Sequence, residues 1–173
     1  MKNRYLISIL ICVSLFISGC LASTQKEDKA LTEAEVEEYI QNKNLKPKAV
    51  EQLPNMTVIL LEDGIYYVSK NEEDNIKETM AYINKHSDNK ITVAMEDIGS
   101  LHVYLMIHDN DLRKKAEKIQ VDFVNGNSLE QIVNDEEGFI FFYDKDDENA
   151  EVEQEYKIFM YDENEKLIYK GGV

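Results

Sequence analysis

From Met56 to the C-terminus the chain repeats one pattern: a short run rich in Val, Ile, Leu, Phe and Tyr, then a turn signal, then another run. Runs this short and this close favour neighbours that fold back on one another, which is antiparallel pairing. Thr57 to Leu61 and Ile65 to Ser69 flank Glu62-Asp63-Gly64, an Asp-Gly hairpin signal. Ile91 to Glu96 and Leu101 to His108 meet around Ile98-Gly99-Ser100. Ile119, Val121 and Phe123 alternate with Lys118, Gln120 and Asp122, the period of a half-buried strand. Phe139 to Tyr143 is apolar on both faces and predicts a central strand buried on both sides. Tyr156 to Tyr161 and Lys166 to Lys170 form a last hairpin around Asp162-Glu163-Asn164-Glu165.

Three stretches need separate argument. Thr32-x-x-Glu35 is a capping box, and Ala34, Val36, Tyr39 and Ile40 follow it, so a short helix is predicted from Glu33 to Gln41. Ile76, Met80 and Ile83 repeat at helical spacing after Asp74 and Asn75, which predicts a second helix up to Lys85. Residues 127–133 fit two templates. Ser128-x-x-Gln131 resembles a capping box, whereas Asn125-Gly126 favours a hairpin. A three-residue loop would bring Leu129 and Val133 to the face of Val121 and Ile119, and the strand is the favoured reading. Asp109 to Lys118 is a polar link with a helical turn through Leu112 and Ala116. The expectation is a mainly β, antiparallel, sandwich-like domain of about nine strands with one or two short helices in its N-terminal half.

The first twenty residues read differently. Lys2 and Arg4 precede Tyr5 to Ile17, an apolar run interrupted only by Ser8 and Ser14. A positive head, a short apolar middle and small residues make a secretory signal. The run is shorter than the ~20 residues a bilayer span needs. Ile17-Ser18-Gly19-Cys20 resembles a lipobox, the motif of bacterial lipoproteins. The resemblance implies cleavage before Cys20, acylation of its thiol and a lipid-anchored chain on the extracytoplasmic face of the cell membrane. Two plainer readings remain: cleavage after Ala22, or retention of residues 5–22 as an uncleaved anchor. The lipobox divides the chain into a signal peptide (1–19), a lipidated flexible tether (20–31) and one domain (32–173).

Cysteine and charge narrow the chemistry. The only cysteines are Cys12, which would leave with the signal, and Cys20. A processed chain could then form no disulfide and offer no cysteine nucleophile or metal ligand. The whole chain carries 19 Lys and Arg against 34 Asp and Glu; loss of Lys2 and Arg4 would take the formal charge from −15 to −17. Such a surface disfavours nucleic acid, whose phosphates need lysine and arginine. It equally disfavours lying flat on an anionic membrane. There is no G-x-S-x-G elbow and no glycine-rich phosphate loop.

The tail carries a second resemblance. KIQVDFVNGNSLEQIVNDEEGFIFFYD followed by KIFMYDENEKLIYKG is similar to the end of many uncharacterised secreted proteins and lipoproteins of Gram-positive bacteria. Val121, Asn125-Gly126, Gly138-Phe139 and Tyr161-Asp162 carry the match. Glu165 stands where that pattern usually has glycine, which predicts a different last turn. The resemblance implies a β-sandwich and no activity.

The candidate sites are few. His102 and His108 lie six residues apart on one strand, with Asp109 and Asp111 next, and together could ligate a metal. Asp144, Asp146, Asp147 and Glu148 offer oxygen ligands to Ca²⁺ in the acidic stretch 144–154, but lack the spacing of a calcium loop. For each, a satisfied strand histidine or a solvated acidic turn is the plainer reading. The leading expectation is therefore a non-catalytic module without a cofactor, bound to the membrane through Cys20 and binding or bracing an envelope protein. A small-ligand or metal-binding lipoprotein is second, and an enzyme with a paired-carboxylate site is third.

Overall fold

The computed structural model describes residues 28–83, 90–98, 100–123, 126–143 and 155–172. Over these residues it is mainly β and antiparallel, with eleven strands in three sheets and two short helices. In chain order these are α1 (Glu33–Lys43), β1 (Ala49–Gln52), β2 (Thr57–Leu60), β3 (Gly64–Lys70), β4 (Ile76–Tyr82), β5 (Ile91–Ile98) and β6 (Ser100–Ile107). Then come α2 (Asn110–Lys115), β7 (Lys118–Phe123), β8 (Ser128–Ile132), β9 (Gly138–Phe142), β10 (Tyr156–Tyr161) and β11 (Leu167–Gly172). Among the described residues no helix is long and apolar enough to cross a membrane.

The sheets stack in layers. The first has strand order β1-β2-β3-β4, the second β5-β6-β9 and the third β11-β10-β7-β8. Period-two alternation decides which side chains meet. Leu101, Val103, Leu105 and Ile107 of β6, with Phe139 and Phe141 of β9, face Ile119, Val121 and Phe123 of β7 and Ile158 and Met160 of β10. The intervening residues, Tyr104 and Met106 of β6 and Ile140 of β9, face Val58 and Leu60 of β2 and Ile65 and Tyr67 of β3. The second sheet is thus the filling between the other two. Strands β6 and β9 are buried on both faces, as the all-apolar run Phe139–Tyr143 predicts, but β9 is an edge strand of its sheet and not the central one. The outer side of the first sheet presents Ile59, Leu61 and Val68, and Leu31 with Val36 and Tyr39 of α1 covers it.

Most predicted strands form in the predicted places. The Glu62-Asp63-Gly64 hairpin closes with Leu60 opposite Ile65 and Leu61 N–H donating to Gly64 O at 2.8 Å. The stretch 127–133 is a strand: β8 lies against β7 with Leu129 opposite Val121. Phe123 N–H donates to Asn127 O at 2.8 Å, which leaves three residues in the loop. Gly126 sits there at φ 89°, a conformation that L side chains rarely adopt.

Two expectations are corrected. The helix predicted over Asn75–Lys85 is strand β4, paired along its whole length with β3 from Gly64↔Tyr82 to Lys70↔Ile76. Its apolar residues do recur at helical spacing, but pairing with β3 supplies seven partnered residues that an isolated two-turn helix would lack. Consistent with an edge position, Ile76 is 50% exposed and Tyr82 79%. The second helix lies instead in the C-terminal half, at Asn110–Lys115, where Leu112 and Ala116 plug the end of the core between the second and third sheets. Strand β1 had no sequence signal; only pairing with β2 makes it a strand.

The domain also starts earlier than residue 32. Lys29 and Lys70 exchange backbone hydrogen bonds of 2.9 and 2.8 Å. Leu31 is buried, and its N–H donates to Oγ1 of the buried Thr57 at 3.2 Å. Asp28 pairs with Lys77 at 2.8 Å. Residues 28–31 therefore belong to the first sheet and not to a tether.

Candidate functional site

The residues predicted to bind metal are separated by the fold. His102 points between the first and second sheets and is fully buried, with Phe142 and Tyr67 at ring-centroid distances of 5.4 and 5.5 Å. Its Nε2 lies 2.9 Å from the Tyr67 hydroxyl. Burial, reinforced by the Glu96 carboxylate, pushes that hydroxyl up and keeps it protonated, so it can donate to the imidazole. Glu96 is the cross-strand neighbour of His102. This is a satisfied polar pair that lets a histidine sit inside a sheet stack.

His108 lies beyond the end of β6, exposed, with Nε2 2.8 Å from Thr92 Oγ1. Asp109 caps α2: one carboxylate oxygen accepts from Asp111 N–H and Leu112 N–H, both at 2.9 Å. Those backbone bonds, the Leu112 one foremost, hold the Asp109 carboxyl below the usual carboxylate range. Asp111 is exposed in the first turn of that helix. The four side chains therefore do not form a ligand set. Among the described residues no group of three or more His, Cys, Asp or Glu is placed to hold a metal ion. Cys20, His86 and the acidic stretch 144–154 lie outside the described residues.

The best-formed polar pocket lies at one end of the stack. It has a volume of about 310 Å³ and is lined by Lys48, Glu62, Met106, Ile107, His108, Asn110, Arg113 and Glu137. The first sheet, the second sheet and α2 contribute: Lys48 precedes β1, Glu62 is in the β2–β3 turn, His108 follows β6, Arg113 is on α2 and Glu137 precedes β9. At its centre the Glu137 carboxylate bridges Lys48 and Arg113, and Arg113 Nε lies 3.4 Å from Asp135. Gly138 makes the bridge possible, because a Cβ there would come within 2.7 Å of Lys48 Cβ and 3.0 Å of Leu60 Cδ2.

Lys48 and Arg113 hold the Glu137 carboxyl below its usual range. A carboxylate pinned in the charged form is a poor proton donor near neutral pH. The cluster balances its charges internally: two cations face Glu137 and Asp135. What it does well is fasten the first sheet, the second sheet and α2 together. Neither Lys48, Arg113 nor Glu137 carries a motif, and only tertiary folding brings positions 48, 113 and 137 into contact.

The outer side of the third sheet is uncovered among the described residues. Pairing puts Ser128, Glu130 and Ile132 of β8, Lys118, Gln120 and Asp122 of β7, Lys157, Phe159 and Tyr161 of β10, and Lys170 of β11 on one face. None of these ten residues is buried. Lys118 Nζ stands 5.0 Å from the Tyr161 ring and 3.2 Å from Glu130, and Lys170 Nζ stands 5.6 Å from the Phe159 ring.

Comparison with protein-family models, with curated proteins and with solved structures returned no match to this chain.

Proposed function

We propose that this protein is a lipid-anchored extracytoplasmic module that binds or braces another envelope component and carries out no catalysis itself. The observation that carries the reading is the lipobox at Cys20 followed so closely by a fixed fold. Only residues 21–27 separate the acylated position from Asp28, which pairs with Lys77 on the first sheet. A chain of that length spans at most about 28 Å, so the domain would stay near the bilayer. Because Lys29 is bridged to Lys70 at the end of β3, the β3–β4 turn would lie nearest the membrane. The Lys48–Glu137–Arg113 pocket lies at the opposite end of β3, about 20 Å away at strand rise.

Acyl chains bury roughly 0.8 kcal/mol per CH₂, so two or three of them make a stable anchor. The non-catalytic part of the reading is supported by the pinned Glu137 and by the enclosed His102–Tyr67 pair. The test is fatty-acid labelling with membrane fractionation. Wild-type protein should incorporate label and sediment with membranes, and Cys20→Ala should lose both properties. A Cys20→Ala protein still in the membrane would mean an uncleaved anchor, and an unlabelled wild-type protein in the medium would mean cleavage after Ala22.

A further inference from the structure

We infer that the open face of the third sheet is a docking surface for a protein partner whose contacting segment is acidic. This names a surface for the binding role above and rests on that reading. Three observations support it.

First, the face is open across its inner strands, whereas α1 covers the inner strands β2 and β3 of the first sheet and leaves only the hydrophobics Val50, Ile76 and Tyr82 exposed, on that sheet's edge strands. The outer residues Ile59, Leu61 and Val68 of the first sheet are buried beneath α1. On the third sheet Phe159 and Tyr161 stand on the outer side only partly buried, Ile132 is 55% exposed, and Leu167 at the start of β11 is 45% exposed. No described element lies across them.

Second, the chemistry is that of an interface centre and rim. Phe159 sits at mid-face and Tyr161 at one end of it, with lysines beside both, and aromatic residues are enriched where partners bury surface. Four strands at ~4.8 Å spacing and six residues at ~3.3 Å rise give a planar patch of about 20 by 20 Å. That is half the side of a standard interface, the scale of a short segment and not of an obligate dimer.

Third, the sign of charge is opposite to that of the rest of the molecule. The whole chain has 19 Lys and Arg against 34 Asp and Glu, whereas this face holds Lys118, Lys157 and Lys170 against Asp122 and Glu130. Elsewhere Lys43 is neutralised by Glu78, Lys48 by Glu137, Lys70 by Glu35, Lys77 by Asp28 and Lys90 by Asp109, while Lys114 and Lys115 on α2 stand apart from any apolar patch. Lys157, cross-strand from Asp122, and Lys170 form no ion pair among the described residues, and the acidic turn 162–165 borders only one end of the face. Two unneutralised lysines flanking exposed rings fit carboxylates around an apolar contact. Three lysines against two carboxylates are too few for an anionic bilayer, where each Lys near the surface contributes only ~1 kcal/mol.

The experiment is site-specific photo-crosslinking of the full-length protein in its native envelope. The crosslinker is placed at Ile132 or Leu167 on the open face, or at Glu37 on α1 as the control position. The inference expects a discrete protein adduct from the open face and not from Glu37. The partner's crosslinked peptide should be rich in Asp and Glu. In a Lys157→Glu/Lys170→Glu background the yield should fall at least five-fold, with thermal unfolding unchanged. Equal adducts from both faces, a yield indifferent to the charge reversal, adducts only to lipid, to a second copy or to this chain's own residues 144–154, or no adduct at all would each overturn it. Fractionation of the same cells tells the two readings apart, because a protein absent from the membrane refutes the anchor and leaves the face to be judged on its crosslinks.

Discussion

The outer sides of the first and third sheets are built from the same alternating strands and end up in different states. On the first, Ile59 of β2 and Val68 of β3 are fully buried because α1 lies on them. On the third, the equivalent outward positions of β7 and β10 are Lys118, Gln120, Asp122, Lys157, Phe159 and Tyr161, none of them buried. Composition accounts for part of the contrast, since aliphatic residues occupy one face and lysines and aromatics the other. Position in the chain accounts for the rest. The segment before β1 forms a capped helix that folds back on its own sheet, and no described segment returns over the third. A face that the chain covers contributes to stability. One that it leaves open, with rings and unneutralised cations, is available to something else.

The largest expected effect tests that contrast directly. Ile59→Ala should cost about 2–5 kcal/mol, because a fully buried side chain leaves a cavity under α1. Phe159→Ala should cost less, about 1 kcal/mol, despite removing a larger side chain, because the ring is only partly buried and leaves no closed cavity. Urea-unfolding midpoints of the two variants decide it, and similar losses would mean that the third sheet is covered after all.

Next in size is the anchoring of the chain's entry to the first sheet. Thr57→Val should lose about 1–3 kcal/mol, because it leaves the Leu31 N–H buried without its acceptor. Hydrogen exchange at Leu31 should then accelerate while amides of β10 stay protected; acceleration in both places would indicate global destabilisation only.

Acidification offers a third test. The Lys70 side chain, helped by Thr32 at the helix start, draws the Glu35 carboxyl from 4.5 down to about 2. Lys43, then Tyr39, holds Glu78 low on the facing strand β4. A depressed carboxylate stabilises the fold above its ordinary pKa, and that stabilisation is lost as pH falls through the folded value. Docking of α1 should therefore weaken between about pH 4.5 and 2, seen as earlier exchange of α1 amides. Glu35→Gln should flatten that dependence, and an unchanged profile would show that the Lys70–Glu35 pair is not responsible.

The smallest effect concerns the last turn, which leads into the open face. Glu165 adopts φ 58°, the left-handed region, while Asp162 accepts from Asn164 and Lys166 N–H at 2.9 and 3.0 Å. Left-handed backbone costs a non-glycine residue roughly 1–2 kcal/mol, partly offset by the lower chain entropy of a side-chain-bearing residue. Glu165→Gly should raise stability by up to ~1 kcal/mol without altering the β10–β11 register. A loss of stability would mean that the Glu165 side chain makes a contact worth more than the strain.

Much of the architecture was legible because it is local. The Asp63-Gly64 and Asn125-Gly126 turns, the alternation of Ile119, Val121 and Phe123, and the two-faced run Phe139–Tyr143 each announce a strand from a few residues. Even Glu165 was marked by where glycine was expected, though the backbone keeps the left-handed turn and accepts the strain instead of changing turn type. The misread element, β4, shows the limit. Ile76, Met80 and Ile83 satisfy a helical period, and the deciding fact, a partner at Gly64–Lys70, lies outside that window.

The candidate site was less legible for the same reason. His102 and His108 occupy one chain segment, yet burial beside Tyr67 claims the first and a bond to Thr92 the second. Lys48, Arg113 and Glu137 look like ordinary charges until two sheets and α2 close around them. By itself the sequence determined the β class, the helix start at Thr32, the turn positions and the expectation of a lipid anchor at Cys20, because each depends on neighbouring residues. Only the tertiary structure decided which sheet fills the middle, that residues 28–31 are fastened to the first sheet, and which outer face stays open, because those follow from contacts between residues far apart in the chain.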